Sequence, residues 1–269
     1  MAPPPSLDEI ARNHLLAAAR RDDLERLAPH LTLKHFAQGE TFYEPGDPIA
    51  EVLFPVDGVI SMLCVTRAGA VETATIGREG GLGLTAGFGP RESMHRAIVQ
   101  ISGAAYGVPV DRFRSLLQAS PAVRDMAARH TEALLAQVMQ SVACNTLHDV
   151  EARLARWVLI CQDRVDGDVV ALTQAFLAQM LGVQRTTVSA AAQVLQKAGL
   201  ITYRRGKIRV LDRPGLEAAA CECYGASRRH YSALLEEPRS TSDQVPAGAS
   251  PSGSLTMIVP PSTRHEPPS

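Results

Sequence analysis

Aromatic residues make up only 4% of this chain, with a single tryptophan among 269 residues. A core must therefore be built from Leu, Val, Ile and Ala, and a hydrophobic content of 45% is an ordinary globular supply of them. The length admits one large domain or two smaller ones. An excess of one charge is missing too: 27 Lys and Arg face 28 Asp and Glu, for a net charge of −1. The molecule as a whole does not announce a polyanionic partner, so any basic patch has to be local. No stretch approaches the roughly 18 apolar residues of a membrane span. The opening "MAPPPSLDEIARNHLL" lacks the basic region and long apolar run of a signal peptide. A soluble, cytoplasmic protein without membrane contact is expected.

Catalytic and metal signatures are equally sparse. The five cysteines (Cys64, Cys144, Cys161, Cys221 and Cys223) are odd in number and scattered. That argues against a disulfide framework and suits a reducing compartment. Only Cys221-Glu-Cys223 forms a close pair. With no second Cys or His pair beside it, it reads as two small buried helix residues, and no metal or cofactor is expected. The eight histidines are dispersed and no His-x-His occurs, which argues against the obvious enzyme alternative, a cupin-like β-barrel metalloenzyme. No G-x-S-x-G nucleophile motif is present. An enzyme is not expected.

What is present is ordered along the chain. Residues 1–30 carry two short helical patterns, with Leu15, Leu16, Leu24 and Leu27 as apolar contacts. From Leu31 to about Val110, short apolar runs are punctuated by Gly39, Gly46, Gly58, Gly69 and Gly77. That rhythm predicts an antiparallel sandwich or barrel of short strands, with a domain spanning 31–118. A long helix at 119–148 follows, with Ser120 as N-cap and Pro121 at the favoured first position. Val123, Ala127, His130, Leu134, Val138 and Val142 make a stripe along it, with Leu135 and Met139 alongside. A parallel dimer seam is the favoured use of that stripe, and His130 within it reads as a packed core residue. A second domain is expected at 149–224. Residues 225–269, rich in Pro, Ser and Gly, read as a disordered tail.

The stretch "LAQMLGVQRTTVSAAAQVLQKAGLI", Leu177 to Ile201, is helical on both sides of Gly182. Thr173 suits an N-cap, Leu177 and Leu181 point inward, and Val183 plugs the angle between the helices. Val188 and Leu195 then face the core. Gln184, Arg185, Thr186, Thr187, Ser189 and Ala190 are left outward, with Ala191 and Ala192 adding to a nearly bare second helix. This is the physical requirement of a helix-turn-helix whose second helix enters a major groove. "GLITYRRGKIRVLD" adds strand, tight turn and strand, a β wing. Between Gln184 and Arg213 lie seven cations (Arg185, Lys197, Arg204, Arg205, Lys207, Arg209 and Arg213) opposed only by Asp212. Such a local excess in a neutral chain is a nucleic-acid footprint. Double-stranded DNA is the expected partner, met by Thr173, Gln174, Gln184, Arg185, Thr186, Thr187, Ser189, Arg204, Arg205 and Lys207. A scaffold whose winged domain binds protein is the alternative, and the basic wing argues against it.

In this order, β domain, long helix and winged helix-turn-helix resemble the Crp/Fnr family of bacterial transcription regulators over roughly residues 10–224. "YEPGDP" with "VDGVISML", "EARLARWVL", and the stretch from Leu172 through the wing carry the likeness. The resemblance implies an α+β fold: a jelly-roll-like antiparallel β roll, a dimerisation helix and a winged DNA-binding domain. It also implies a homodimer on palindromic operators with RNA polymerase as a partner. The effector pocket of the family would map to Gly83, Ser93, Met94, Val138 and Met139. Here the usual phosphate-holding Arg-Ser pair falls at Ser93 and Met94, and the Thr-Ser pair of the long helix at Val138 and Met139. A buried cyclic phosphate without a cation is costly. The alternative is a cyclic-nucleotide-responsive regulator in which Arg91 or Arg96 takes over. No cysteine precedes Cys64, so the N-terminal iron–sulfur cluster of the oxygen-sensing members is excluded, and His35, His95 and His130 show no pairing that favours haem. The recognition helix keeps Arg185 but has Thr186 and Ala190 where members reading the commonest operator carry Glu and a second Arg. A different operator is implied, and the effector stays unassigned.

Overall fold

A computed structural model describes residues 4–235 of the chain. Three short helices open it, one more than the pattern suggests: α1 (Leu7–Ile10), α2 (His14–Ala17) and α3 (Arg21–Leu27). Ser6 and Glu9 form a reciprocal capping box on α1. Asn13 caps α2 through Leu16 N–H, and its fully buried amide donates to the carbonyls of Pro55 and Gly80, each at 2.8 Å. One side chain thus ties the N-terminal helices to the β domain.

That domain contains β1 (Thr32–Phe36), β2 (Thr41–Tyr43), β3 (Glu51–Thr66), β4 (Gly69–Ile76) and β5 (Arg96–Pro109). The sheet is antiparallel throughout, with strand order β1-β5-β3-β4 and β2 also paired to β5. The 16-residue β3 bends because its register against β5 shifts around Asp57 and Val59. The bend requires glycine on both strands. A Cβ on Gly58 would lie 2.7 Å from Ile101 O, and one on Gly103 would lie 2.3 Å from Asp57 O. Phe54 and Phe113 meet edge to face at the centre of the roll's core, with ring centroids 6.0 Å apart.

Helix α4 (Val110–Ala119) closes the roll, and α5 (Pro121–Leu147) packs along β4, where Gln137 accepts from Thr75 N–H at 3.2 Å. Ser120 caps α5 by accepting from Val123 N–H. The apolar stripe expected along α5 is divided between two faces. Val123, Met126, Ala127, His130 and Ala133 are buried within the chain, while Leu135, Met139 and Val142 are exposed. His130 is a core residue: it accepts from Gly81 N–H at 3.1 Å, and burial lowers its pKa to about 4, so it is neutral.

At His148 the backbone turns extended, and α6 (Val150–Gln162) begins. Then follow β6 (Val169–Ala171), α7 (Gln174–Leu181), α8 (Arg185–Lys197), β7 (Ile201–Arg204), β8 (Lys207–Val210), α9 (Arg213–Ala219) and α10 (Cys223–Leu235). The strands form a three-stranded sheet, β6-β8-β7. Strand β6 is too short to show a pattern in the sequence. A second core packs α6 to α8 around Trp157 and reaches Val59, Leu63 and Ile101 of the roll. Helix α10 corrects the expectation that the tail begins at 225: residues 225–235 are helical, and Ser227 and Tyr231 are buried on it. Residues 236–269, the rest of the expected tail, lie outside the described residues.

Candidate nucleic-acid interface

Thr173 caps α7 by accepting from Phe176 N–H. Gly182 ends the helix at φ +64, a left-handed conformation that costs glycine nothing. Val183 follows, half-buried, and donates its N–H to Ala178 O at 3.0 Å. Helix α8 begins at Arg185. Gln184 occupies its N-cap position, yet its side chain makes no capping bond, so the amide is free for another partner. Gln184, Arg185, Thr186, Thr187 and Ala190 are exposed, while Val188, Ala191, Ala192 and Leu195 are buried. The two alanines therefore belong to the packed face, not to the bare one. Ser189 is half-buried and turns its hydroxyl back to Arg185 O at 3.0 Å.

The wing pairs Arg204 with Lys207 and Ile201 with Val210. Its two turn residues, Arg205 and Gly206, have φ of +50 and +73, the signs a type I′ hairpin demands. Leu172 donates its N–H to Gly206 O at 2.7 Å, which sets the wing turn beside Thr173 and Gln174 at the start of α7. Arg185, Lys197, Arg204, Arg205 and Lys207 are exposed and form no ion pair among the described residues. Arg209 lies 3.6 Å from Asp168. Arg213, counted with the basic set from sequence, belongs elsewhere: it binds Asp163 at 2.6 Å, Glu217 at 3.0 Å and the Tyr224 hydroxyl at 2.7 Å. It anchors α9 to α6 and leaves the wing.

The roll holds this domain through buried polar contacts. Trp157 donates its indole N–H to Glu72 at 2.7 Å, and Ser61 also donates to that carboxylate. Burial pushes the Glu72 pKa up to about 7, although both hydrogen bonds and the nearby Arg156 and Arg164 pull the other way. Arg164 reaches from the end of α6 to Glu79 at 2.6 Å and to Thr75 O at 3.2 Å. Gln38 donates to Ala171 O, and Gln100 donates to the Met180 sulfur, both at 3.0 Å. The lone tryptophan was a visible signal of this joint; the position of Glu72 was not.

The residues mapped to an effector pocket do not converge on an enclosed site. Gly83 is half-buried at the start of a short 3₁₀ turn, and Ser93 is buried with its hydroxyl donating to His95 O. Met94, however, is 91% exposed and Met139 is 66% exposed; Val138 is half-buried. The two candidate replacement cations are already engaged. Arg96 grips Glu44 with its Nε at 2.8 and 2.9 Å, and Arg91 pairs with Asp111.

Residues 152–219 match the family model described as a Crp-like helix-turn-helix domain. That segment is thus a Crp-like helix-turn-helix domain, and the chain as a whole resembles the Crp/Fnr regulators. The chain is 25% identical over 213 residues to the global nitrogen regulator of Synechocystis sp. strain PCC 6803, covering 73% of this chain and 91% of that protein. It is 24% identical over 187 residues to the global nitrogen regulator of Nostoc sp. strain PCC 7120, covering 65% and 83%. Among solved structures, FixK2 from Bradyrhizobium japonicum matches with a TM-score of 0.61 at 19% identity, over 71% of this chain and all but 2% of that one. The c-di-GMP responsive global regulator CLP of Xanthomonas campestris matches at 0.58 and 16% identity, over 72% and 100%. These structural likenesses show the fold. Together with the family match they make the chain a DNA-binding transcription regulator of the Crp/Fnr type. No described helix is long and apolar enough to cross a membrane.

Proposed function

We propose that this Crp/Fnr regulator acts in the cytoplasm as a homodimer that reads a two-fold-symmetric operator in double-stranded DNA. One observation carries the reading: the start of α8 is stripped of bulk and offers Gln184, Arg185, Thr186 and Thr187, while unpaired Arg204, Arg205 and Lys207 sit on the adjoining wing. Arg185 supplies the bidentate donor that reads guanine O6 and N7, and the threonine methyls suit thymine. Thr173, Gln174 and the wing cations take phosphates, which position the domain without reading sequence. Arg205 supports that role, because a non-glycine side chain is kept at positive φ where glycine or asparagine would be easier.

Leu135, Met139 and Val142 recur at steps of four and three on α5 and stand exposed in a single chain. A second copy of α5 laid along this seam buries them and sets two recognition helices about one DNA turn apart, roughly 34 Å. RNA polymerase is the partner that the family's mode of action supplies, and the protein performs no catalysis of its own. Cyclic AMP and cyclic GMP are not its effectors. Met94 stands in solvent, and Arg91 and Arg96 are each held by a carboxylate, so neither replacement cation is free to pair with a cyclic phosphate. The protein either binds DNA without a ligand or answers to a less polar one.

Genome-wide mapping of the sites bound in the source organism tests this reading. Enrichment at promoters with a shared palindrome supports it. Recovery only of protein partners, with no DNA enrichment, overturns it.

A further inference from the structure

The Cys-x-Cys pair that looks isolated in the sequence is not isolated in the fold. Cys144 lies in the last turn of α5, and His148, four residues later, caps that helix. Cys221 and Cys223 flank Glu222 at the entry to α10. Folding brings the four side chains together: their three Sγ atoms and one imidazole nitrogen all lie within 4.8 Å of one another. Cys144 Sγ is 3.6 Å from Cys221 Sγ, and Cys223 Sγ is 3.4 Å from His148 Nδ1. The three cysteines are buried and form a small cluster apart from the two main cores.

We propose that Cys144, His148, Cys221 and Cys223 form a structural Zn²⁺ site. The dimensions fit one tetrahedral ion. Zn–S bonds of about 2.3 Å and a Zn–N bond of about 2.0–2.1 Å place neighbouring sulfurs about 3.8 Å apart, and sulfur and nitrogen about 3.6 Å apart. Four ligands leave no open position, which marks a closed structural site, and thiolate with imidazole is the donor set zinc favours. A multi-iron cluster needs its thiolates spread around several metal atoms, and this cage is sized for one.

The surroundings match as well. The other ring nitrogen of His148, Nε2, lies 3.1 Å from a Glu222 carboxylate oxygen. That carboxylate–histidine pair leaves Nδ1 as the metal-facing nitrogen and fixes the ring's orientation. Gln140 donates to Cys223 Sγ at 2.9 Å, a bond that steadies a thiolate. Three thiolates on Zn²⁺ carry a net charge of −1. Arg153 and Arg156 of α6 are buried within electrostatic reach of Cys144 and balance it. Each also has an Nε without a hydrogen-bond partner among the described residues. The ligands come from both sides of the turn at His148, so zinc ties the end of α5 to α10 and fixes the path into α6.

The test uses the full chain, purified anaerobically under reducing conditions. Elemental analysis should find one zinc per chain. Replacing zinc with Co²⁺ should give thiolate charge-transfer bands and the intense visible bands of a tetrahedral site, saturating at one equivalent. Alkylation followed by peptide mass mapping should show Cys144, Cys221 and Cys223 protected by zinc while exposed Cys64 reacts. Cys223→Ser should abolish the one-equivalent cobalt signal, Cys64→Ser should leave it unchanged, and Glu222→Gln should lower zinc affinity by about 10–100-fold. The wild-type cobalt titration stands even if a cysteine variant fails to fold. Metal at background with no saturating cobalt signal overturns the proposal. So does a Cys144–Cys221 disulfide in a chain that still takes up no metal after reduction.

Discussion

Arg185 stands exposed at the first position of α8, with only small neighbours around it, so its guanidinium is the chain's best candidate for touching a base edge. Replacing Arg185 with alanine should cost about 1–3 kcal/mol on the preferred operator and relax preference at one base pair per half-site. Competition binding across a panel of single-base operator variants measures both effects, and an unchanged preference profile removes Arg185 as the reader. Glu72 offers a second test at this scale. Its carboxyl pKa is about 7 in the fold against 4.5 when unperturbed. A raised carboxyl stabilises the fold in its protonated form. That contribution is complete below the unfolded value and is lost as pH rises through about 7. The loss is on the order of 3 kcal/mol at most. Thermal unfolding at fixed ionic strength should therefore show the wild type weakening between pH 5 and 7.5, and Glu72→Gln should flatten that slope. Equal slopes for the two proteins would show that Glu72 does not titrate in this window.

At the scale of elements, the wing separates positioning from reading. Lys207→Ala should weaken binding to all sequences by a similar factor and reduce the salt dependence by roughly one unit; titrations at several salt concentrations decide it, and a loss confined to the operator contradicts the phosphate role. Helix α5 makes a different demand. Met139→Glu should turn the proposed dimer into monomers in sedimentation while leaving single-chain stability within about 0.5 kcal/mol, because the side chain is exposed in the isolated chain. A dimer that persists places the seam elsewhere. The elements differ in how far their sequences disclosed them. Helices α7 and α8 and the wing were legible because a glycine turn, a bare helix start and a two-residue hairpin are local patterns. The division of α5 into two apolar faces was not, since a stripe records that a face is apolar without saying what covers it. Strand β6 and the Arg213 anchor depend on partners distant in sequence. Helix α10 was missed in part because Pro, Ser and Gly just beyond it dilute its signal. Cys144 and His148 likewise join Cys221 and Cys223 only after some 70 intervening residues have folded between them.

For the whole molecule, Asn13 ties the N-terminal helices to the roll, His130 and Gln137 tie α5 to it, and Glu72, Trp157 and Arg164 tie it to α6, so the parts share polar contacts as well as apolar ones. Arg91 and Arg96, the two cations mapped near Ser93, are each paired with a carboxylate. Isothermal titration of the full chain with cyclic AMP and cyclic GMP should give no heat of saturable binding; micromolar binding at one site per subunit would reinstate Arg91 or Arg96 as the phosphate partner. The central claim is that two copies of α8 read DNA together, and selecting binding sites from random duplexes with the purified full chain tests it most directly. The account predicts a palindromic motif with half-sites about one helical turn apart, recovered with an affinity that falls steeply as salt rises. An unenriched pool, or a motif without two-fold symmetry, would contradict it.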